Sequence, residues 1–174
     1  MRIAGLIKND MVDGLGFSVS LWTQGCPFHC EGCHNPETWD FKGGEEVNIY
    51  HLIDEIKKAI TANGIQRNFS VLGGEPLCSQ NIYEVSDIIY EIRKAFPNIK
   101  IFVWTGFTIE NLLAQHDPIV NKVLHNIDVL IDGQFDIAKR DITLWLKGSS
   151  NQRVIDVPKT IIEGKVCECN NSNN

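Results

Sequence analysis

The sequence predicts an α/β fold, a partial, open (β/α) barrel with a mainly parallel sheet. Three observations carry this. Short apolar runs rich in β-formers alternate with longer stretches of helical period, which is the pattern of βα units. The chain has only 174 residues, whereas a complete eightfold barrel typically takes about 250. It supplies roughly four to six units by the same pattern, so the sheet is expected to stay open. Finally, glycines and polar residues gather just after the apolar strands, where such folds place their ligands.

Residues 17–24, "FSVSLWTQ", alternate and read as a strand running into a cysteine-rich loop. In "NIYHLIDEIKKAI" (48–60), Leu52, Ile53, Ile56, Ala59 and Ile60 fall on one helical face. "NFSVL" (68–72) is a short apolar strand stopped by Gly73 and Gly74. "NIYEVSDIIYEIRKAF" (81–96) repeats the helical pattern through Ile82, Val85, Ile88, Ile89 and Ile92. Asn81 and Glu84 read as its capping pair, and Pro97 marks its end. "IKIFVW" (99–104) is a further strand, and a helical segment from Ile109 to Leu124 is interrupted near Pro118. "DVLI" (128–131) and "RVIDV" (153–157) complete the strands. Residues 1–165 read as one domain. The remaining 166–174, ending in "CECNNSNN", read as a polar, disordered tail.

Composition narrows the function classes. The chain is 43% hydrophobic and 22% charged, which is ordinary for a soluble globular protein. Net charge is −6 with no block of lysine or arginine, so a nucleic-acid partner is not expected. No apolar run approaches the roughly 20 residues of a bilayer span, and the start, "MRIAGLIKNDMVDG", meets charges too early for a secretory signal. The expected location is cytoplasmic. Six cysteines in such a chain point to metal or redox chemistry rather than to disulfides.

Four segments follow strand ends: Cys26 after 17–24, Gly73-Gly74-Glu75-Pro76 after 68–72, Thr105-Gly106 after 99–104, and Asp132-Gly133 after 128–131. In a parallel βα fold these ends share one rim, so the four segments are expected to converge. Glycine and aspartate also punctuate strand ends for purely local reasons. The cysteine cluster at the head of the series favours a site.

Cys26, Cys30 and Cys33 lie within "TQGCPFHCEGCHNPETW" (23–39). Pairing any two as a disulfide would close a very small, strained loop and leave an odd thiol. Soft thiolates select zinc, copper(I) or iron–sulfur clusters. A structural zinc site wants four ligands, and the fourth would have to be His29 or His34 inside the same short loop. A [4Fe-4S] cluster held by three thiolates leaves one iron with an open position.

The Cys-x3-Cys-x2-Cys spacing of Cys26, Cys30 and Cys33, preceded by a strand and joined by Gly73-Gly74-Glu75-Pro76 after the next one, resembles the signature of the radical S-adenosylmethionine (radical SAM) enzymes. The resemblance implies that the barrel is of the radical SAM type and that S-adenosyl-L-methionine binds the open iron. Residues Gly73, Gly74 and Glu75 would then meet its methionyl amine, and Gly32, Cys33 and His34 would lie along its adenine. Gly32 is small enough for a purine to lie flat there. His34 reads as a stacking partner or as an exposed loop residue, and Glu75 as an added negative charge or as a solvated turn residue. Asp132 reads as a ribose contact or as a turn aspartate, and Thr105 is a weaker candidate.

"CEGCHNPETW", "VWTGF", "DVLIDGQF" and "LKGSSNQRVIDV" together narrow the resemblance, from Val12 to Val157, to the activating proteins of anaerobic ribonucleoside-triphosphate reductases. His34 stands where members often have tyrosine, and Glu75 where many have aspartate. The resemblance implies an oxidoreductase in which reductive cleavage of S-adenosylmethionine yields a 5′-deoxyadenosyl radical. That radical removes hydrogen from a glycine α-carbon of the large reductase subunit. A low-potential electron donor is a further implied partner, and no catalytic side chain beyond the cluster ligands is needed. A radical SAM enzyme acting on a small molecule, such as a deazaguanine precursor, is the alternative; it would need elements this short chain lacks. A zinc-binding interaction module is a third reading. Cys78 reads as a packing residue. Cys167 and Cys169 read as a metal-binding or redox pair or as idle thiols, and the polar residues of 147–153 as lining the rim or contacting a partner.

Overall fold

The computed structural model describes residues 1–169. Its seven strands form one open sheet in the order β3-β1-β2-β4-β5-β6-β7. They are β1 (Arg2–Asp10), β2 (Ser18–Thr23), β3 (Glu45–Glu46), β4 (Asn68–Gly73), β5 (Ile101–Trp104), β6 (Val129–Asp132) and β7 (Arg153–Asp156). The helices are α1 (Ile49–Ile60), α2 (Ile82–Ala95), α3 (Ile109–Ala114), α4 (Pro118–Leu124) and α5 (Val157–Glu163). Strands β2, β4, β5 and β6 run parallel, whereas β1 and β7 flank them antiparallel. The expected α/β class and open, parallel-centred sheet are therefore present.

The parallel strands are added one after another in the same direction, so right-handed crossovers put their helices on one face. Strand alternation follows. Val19, Leu21, Phe69, Val71, Ile101, Val103 and Leu130 join the helices in the main core. Phe102, Val129, Ile131 and Val154 form a smaller cluster with Trp104, on the other side of the sheet. That second face is left free of helices and carries the site.

Several local readings are corrected. Strand β1 carries no strand pattern in the sequence, because bulges between Ile3 and Gly5 and between Ile7 and Asp10 break its period of two. Two-residue β3 carries no readable pattern. Asn81 does not cap α2 with its side chain; its amide is used elsewhere, as described below. The break at Pro118 is confirmed, with that proline in the first turn of α4 and Asp117 as its N-cap. Strand β7 stops one residue early because Asp156 caps α5, its carboxylate accepting from Lys159 N–H at 2.9 Å.

The expected tail begins too early. The Asp156 amide donates to the Cys167 carbonyl, and the Cys169 amide to the Val154 carbonyl, both at 2.8 Å. Residues 167–169 thus cover the outer edge of β7, with Cys167 buried. Positions 170–174 lie outside the described residues. Cys78 is buried, in keeping with a packing role. Among the described residues no helix is long and apolar enough to cross a membrane.

Candidate iron–sulfur site

The cysteine loop leaves β2 and returns to its own starting point. At its neck the Gly25 amide donates to the Thr38 carbonyl at 2.7 Å and the Cys26 amide to the Trp39 carbonyl at 3.1 Å. The Gln24 side-chain amide donates to the carbonyls of Glu37 at 3.0 Å and Asp40 at 2.8 Å. Within the loop, Cys33 N–H donates to the Cys30 carbonyl at 3.1 Å. The loop is closed by its own backbone before any ligand is considered.

A second loop is bound to this neck. Gly74 N–H donates to the Thr23 carbonyl and Glu75 N–H to the Gly25 carbonyl, both at 2.8 Å. A Cβ on Gly73 would stand 2.8 Å from backbone atoms of Thr23, and one on Gly74 would collide with the Gly25 carbonyl. The two glycines are therefore required by loop-to-loop contact. Asn81 fastens the junction: its side-chain amide donates to the carbonyls of Gln24 at 3.1 Å and Glu75 at 2.9 Å.

Glu75 is buried, not solvated. Its carboxylate accepts from Leu77 N–H at 2.9 Å, the Thr105 hydroxyl at 2.8 Å and Gly106 N–H at 2.7 Å. Burial pushes it up to about 7, against those three donors. Thr105, the weaker candidate, thus joins the same network.

These loops open on one cavity of about 860 Å³ on the free face of the sheet, large enough for a cofactor-sized ligand. Cys26, Cys30 and Cys33 all line it, as do His34, Gly73, Gly74 and Glu75. Burial pushes the Cys26 and Cys30 thiols up, so binding a metal there releases protons. Among the described residues, no three Cys, His, Asp or Glu side chains gather as ligands of a single metal ion would. His29 packs instead on Trp39, with ring centres 4.9 Å apart, and His34 on Phe135 at 5.7 Å. A four-iron cluster binds each thiolate through a different iron, so its ligands need not meet at one atom. Three cysteines on one cavity wall fit that group better than a zinc ion.

Two candidates stand apart from the cavity. Gly32 has φ +71°, and its missing side chain makes room for Ile137 rather than opening onto the cavity: a Cβ would lie 2.6 Å from Ile137 Cδ1. Asp132 is buried, and its carboxylate is held by Arg153, at 2.9 and 2.5 Å, and by Ile109 N–H at 2.8 Å. Both of its oxygens are thus engaged within the protein, and it does not line the cavity. Arg153 also binds Glu110 through two hydrogen bonds, at 2.8 and 2.7 Å, which hold Glu110 down at about 2.

Some lining residues escaped the sequence reading. Trp22 and Trp104 face the cavity at the ends of β2 and β5; strand alternation from Ser18 and Phe102 places them there. The segment 147–153 also gains a structural role. Gln152 Oε1 accepts from the amides of Gly148 at 3.0 Å and Ser149 at 3.2 Å, while its Nε2 donates to the Gly133 carbonyl at 3.0 Å. Asn151 donates to the Gln134 carbonyl at 2.8 Å. The segment thereby closes the long loop that follows β6 and walls one side of the cavity, with Trp104 Nε1 donating to the Leu146 carbonyl at 2.9 Å.

Residues 12–155 match the family model described as a 4Fe-4S single cluster domain. Curated relatives carry the name anaerobic ribonucleoside-triphosphate reductase-activating protein. That of Enterobacteria phage T4 is 32% identical over 83% of this chain and 87% of its own length. That of Pasteurella multocida is 33% identical over 87% and 95%, and that of Escherichia coli K12 is 34% identical over 83% and 92%.

Proposed function

The chain belongs to the family of anaerobic ribonucleoside-triphosphate reductase-activating proteins, with a 4Fe-4S single cluster domain, and from that premise we propose that it is a radical SAM activase. Its substrate is the large subunit of the reductase, on which it generates a glycyl radical. The observation that carries this reading is the convergence of Cys26, Cys30 and Cys33 with Gly73, Gly74 and Glu75 on one cavity.

In this reading Cys26, Cys30 and Cys33 would hold a [4Fe-4S] cluster and leave one iron open to S-adenosyl-L-methionine. When bound, the cluster would supply the electron for reductive cleavage of that cofactor. The chain's own share is binding, orientation and exclusion of water. Gly73 and Gly74 hold the backbone at the methionyl end, fixed to Thr23 and Gly25. Glu75 ties that backbone to Thr105 and Gly106. Cys33, His34 and Phe135 form the wall for adenine, with Gly32 shaping the loop behind them through Ile137. Asp132 acts at one remove, positioning α3 and β7 through Ile109 and Arg153. Trp22 and Trp104 keep water from the reacting atoms.

The reaction is set in the cytoplasm and draws on a low-potential electron donor. The open side of the sheet admits a protein loop bearing the target glycine. The experiment is to incubate the reconstituted chain with reductase, S-adenosylmethionine and a strong reductant, and to record electron paramagnetic resonance. A glycine-centred doublet formed by wild type and absent with Cys30→Ala supports the reading. A doublet of equal size with Cys30→Ala contradicts it.

A further inference from the structure

The turn joining β1 to β2 carries a second cluster of polar groups, apart from the cysteines. Asp10, at the end of β1, is 6% exposed. Its Oδ1 accepts from Val12 N–H at 2.8 Å and Asp13 N–H at 3.3 Å, while Oδ2 has no partner. The Asp13 carboxyl group lies against the Asp10 carboxyl group and also borders the cavity. Among the described residues neither carboxyl group forms an ion pair.

Two fully buried serines on β2 point to the same place. Ser18 pairs with Asp10 across the β1–β2 ladder, and Ser20 follows it on the same face. Both hydroxyls lack a hydrogen-bond partner. The Ser20 hydroxyl stands beside the Asp10 carboxyl group without closing a bond of ordinary length. The Ser18 hydroxyl lies under the turn, where a Cβ on Gly14 would come within 2.7 Å of it.

We propose that Asp10 and Asp13, with the hydroxyls of Ser18 and Ser20, form a binding site for a hard divalent cation of the calcium or magnesium class. Buried charges in proteins are paired or coordinate metals, and this pair has no cationic side chain. Two carboxylates in contact disfavour double ionisation unless a cation stands between them. Burial and the contact with Asp10 push Asp13 up to about 7. Asp10, against the cost of its own burial, is held below the ordinary carboxylate range by its hydrogen bonds, so the pair carries one charge readily and the second poorly. A proton between them would satisfy the carboxyl pair and still leave the serine hydroxyls without a partner. A hard cation engages all of these oxygens, and two carboxylates balance a charge of two. Remaining positions are open to water, because Asp13 reaches the cavity. The cation would also fix the turn that holds Met11 and Val12, both exposed, at the cavity mouth.

The test titrates the full-length chain, stripped of adventitious metal, with calcium chloride and magnesium chloride by calorimetry at mildly alkaline pH. It gives the same answer with the iron–sulfur cluster loaded or not, so it is independent of the function proposed above. One saturable site per chain is expected, weakened at least about tenfold by Asp13→Asn because affinity follows ligand charge. Ser20→Ala, which leaves both carboxylates and removes only a hydroxyl, is expected to weaken it less but measurably, with an unchanged circular dichroism spectrum. No saturable heat with either cation in the wild type overturns the proposal, and leaves the carboxyl pair to a shared proton and water. Equal affinity in wild type and both variants overturns it as well.

Discussion

The side-chain amide of Asn81 donates to the main-chain carbonyl of Glu75 at 2.9 Å. The same amide reaches the Gln24 carbonyl at 3.1 Å. One buried side chain at the start of α2 thus holds together the neck of the cysteine loop and the loop after β4. Asn81→Ala leaves two buried carbonyls without this donor, at about 1–3 kcal/mol. The expected result is a lower melting temperature and less iron retained after reconstitution, read by thermal unfolding and iron analysis.

The cysteines divide into two groups. Cys26→Ala, Cys30→Ala and Cys33→Ala are each expected to abolish the cluster, because all three thiols line the cavity. Cys167→Ala is expected to retain it, because Cys167 lies at the outer edge of β7, where its amide bonds to the Thr160 hydroxyl at 3.0 Å. Iron and sulfide content with the visible absorption spectrum decides between these outcomes.

Glu75 makes stability depend on pH in an unusual direction. Its carboxyl group is raised from an ordinary 4.5 to about 7 by burial, so the folded chain holds the proton more tightly than the unfolded one. The stability that proton contributes is complete below about 4.5 and is lost as pH rises through about 7. Glu75→Gln removes this dependence. Denaturant midpoints of the two proteins, compared across that window, are expected to diverge as pH rises, with the wild type falling relative to the variant.

The glycines are not equivalent. A Cβ on Gly74 would meet the rigid Gly25 backbone, whereas one on Gly32 would meet the end of the flexible Ile137 side chain at 2.6 Å. Gly74→Ala is expected to destabilise severely and to prevent cluster assembly. Gly32→Ala is expected to cost only about 1–2 kcal/mol, the strain of a left-handed residue, and to regain part of that with Ile137→Ala. Melting temperatures of the three variants test this ranking.

Gln152 joins both ends of the loop between β6 and β7. Gln152→Ala is expected to expose that loop to protease while the sheet stays folded. Limited proteolysis with mapping of the first cleavage site checks it, and a first cut elsewhere contradicts the role.

Much of this was legible in the sequence, and the exceptions have physical causes. Strands β4 and β5 and helices α1 and α2 carry regular apolar periods, so their positions follow from pattern. Strand β1 does not, because bulges at Gly5 and before Asp10 break its alternation. The convergence of the cysteines with Gly73, Gly74 and Glu75 was also foreseeable, since parallel strands share one rim. What each residue touches was not. Asn81 looked like a cap because its true partners are carbonyls of distant segments. Asp132 looked free because Arg153 lies 21 positions away. Gly32 reads as room for a purine, while the neighbour that its missing side chain admits is Ile137, far along the chain and invisible to local pattern.

The most direct test is electron paramagnetic resonance of the anaerobically reconstituted, reduced chain, recorded with and without S-adenosylmethionine. The account predicts a [4Fe-4S] signal whose g values change when the cofactor is added, because one iron is open to it. A signal that the cofactor leaves unchanged, or a colourless protein carrying zinc, would contradict the account.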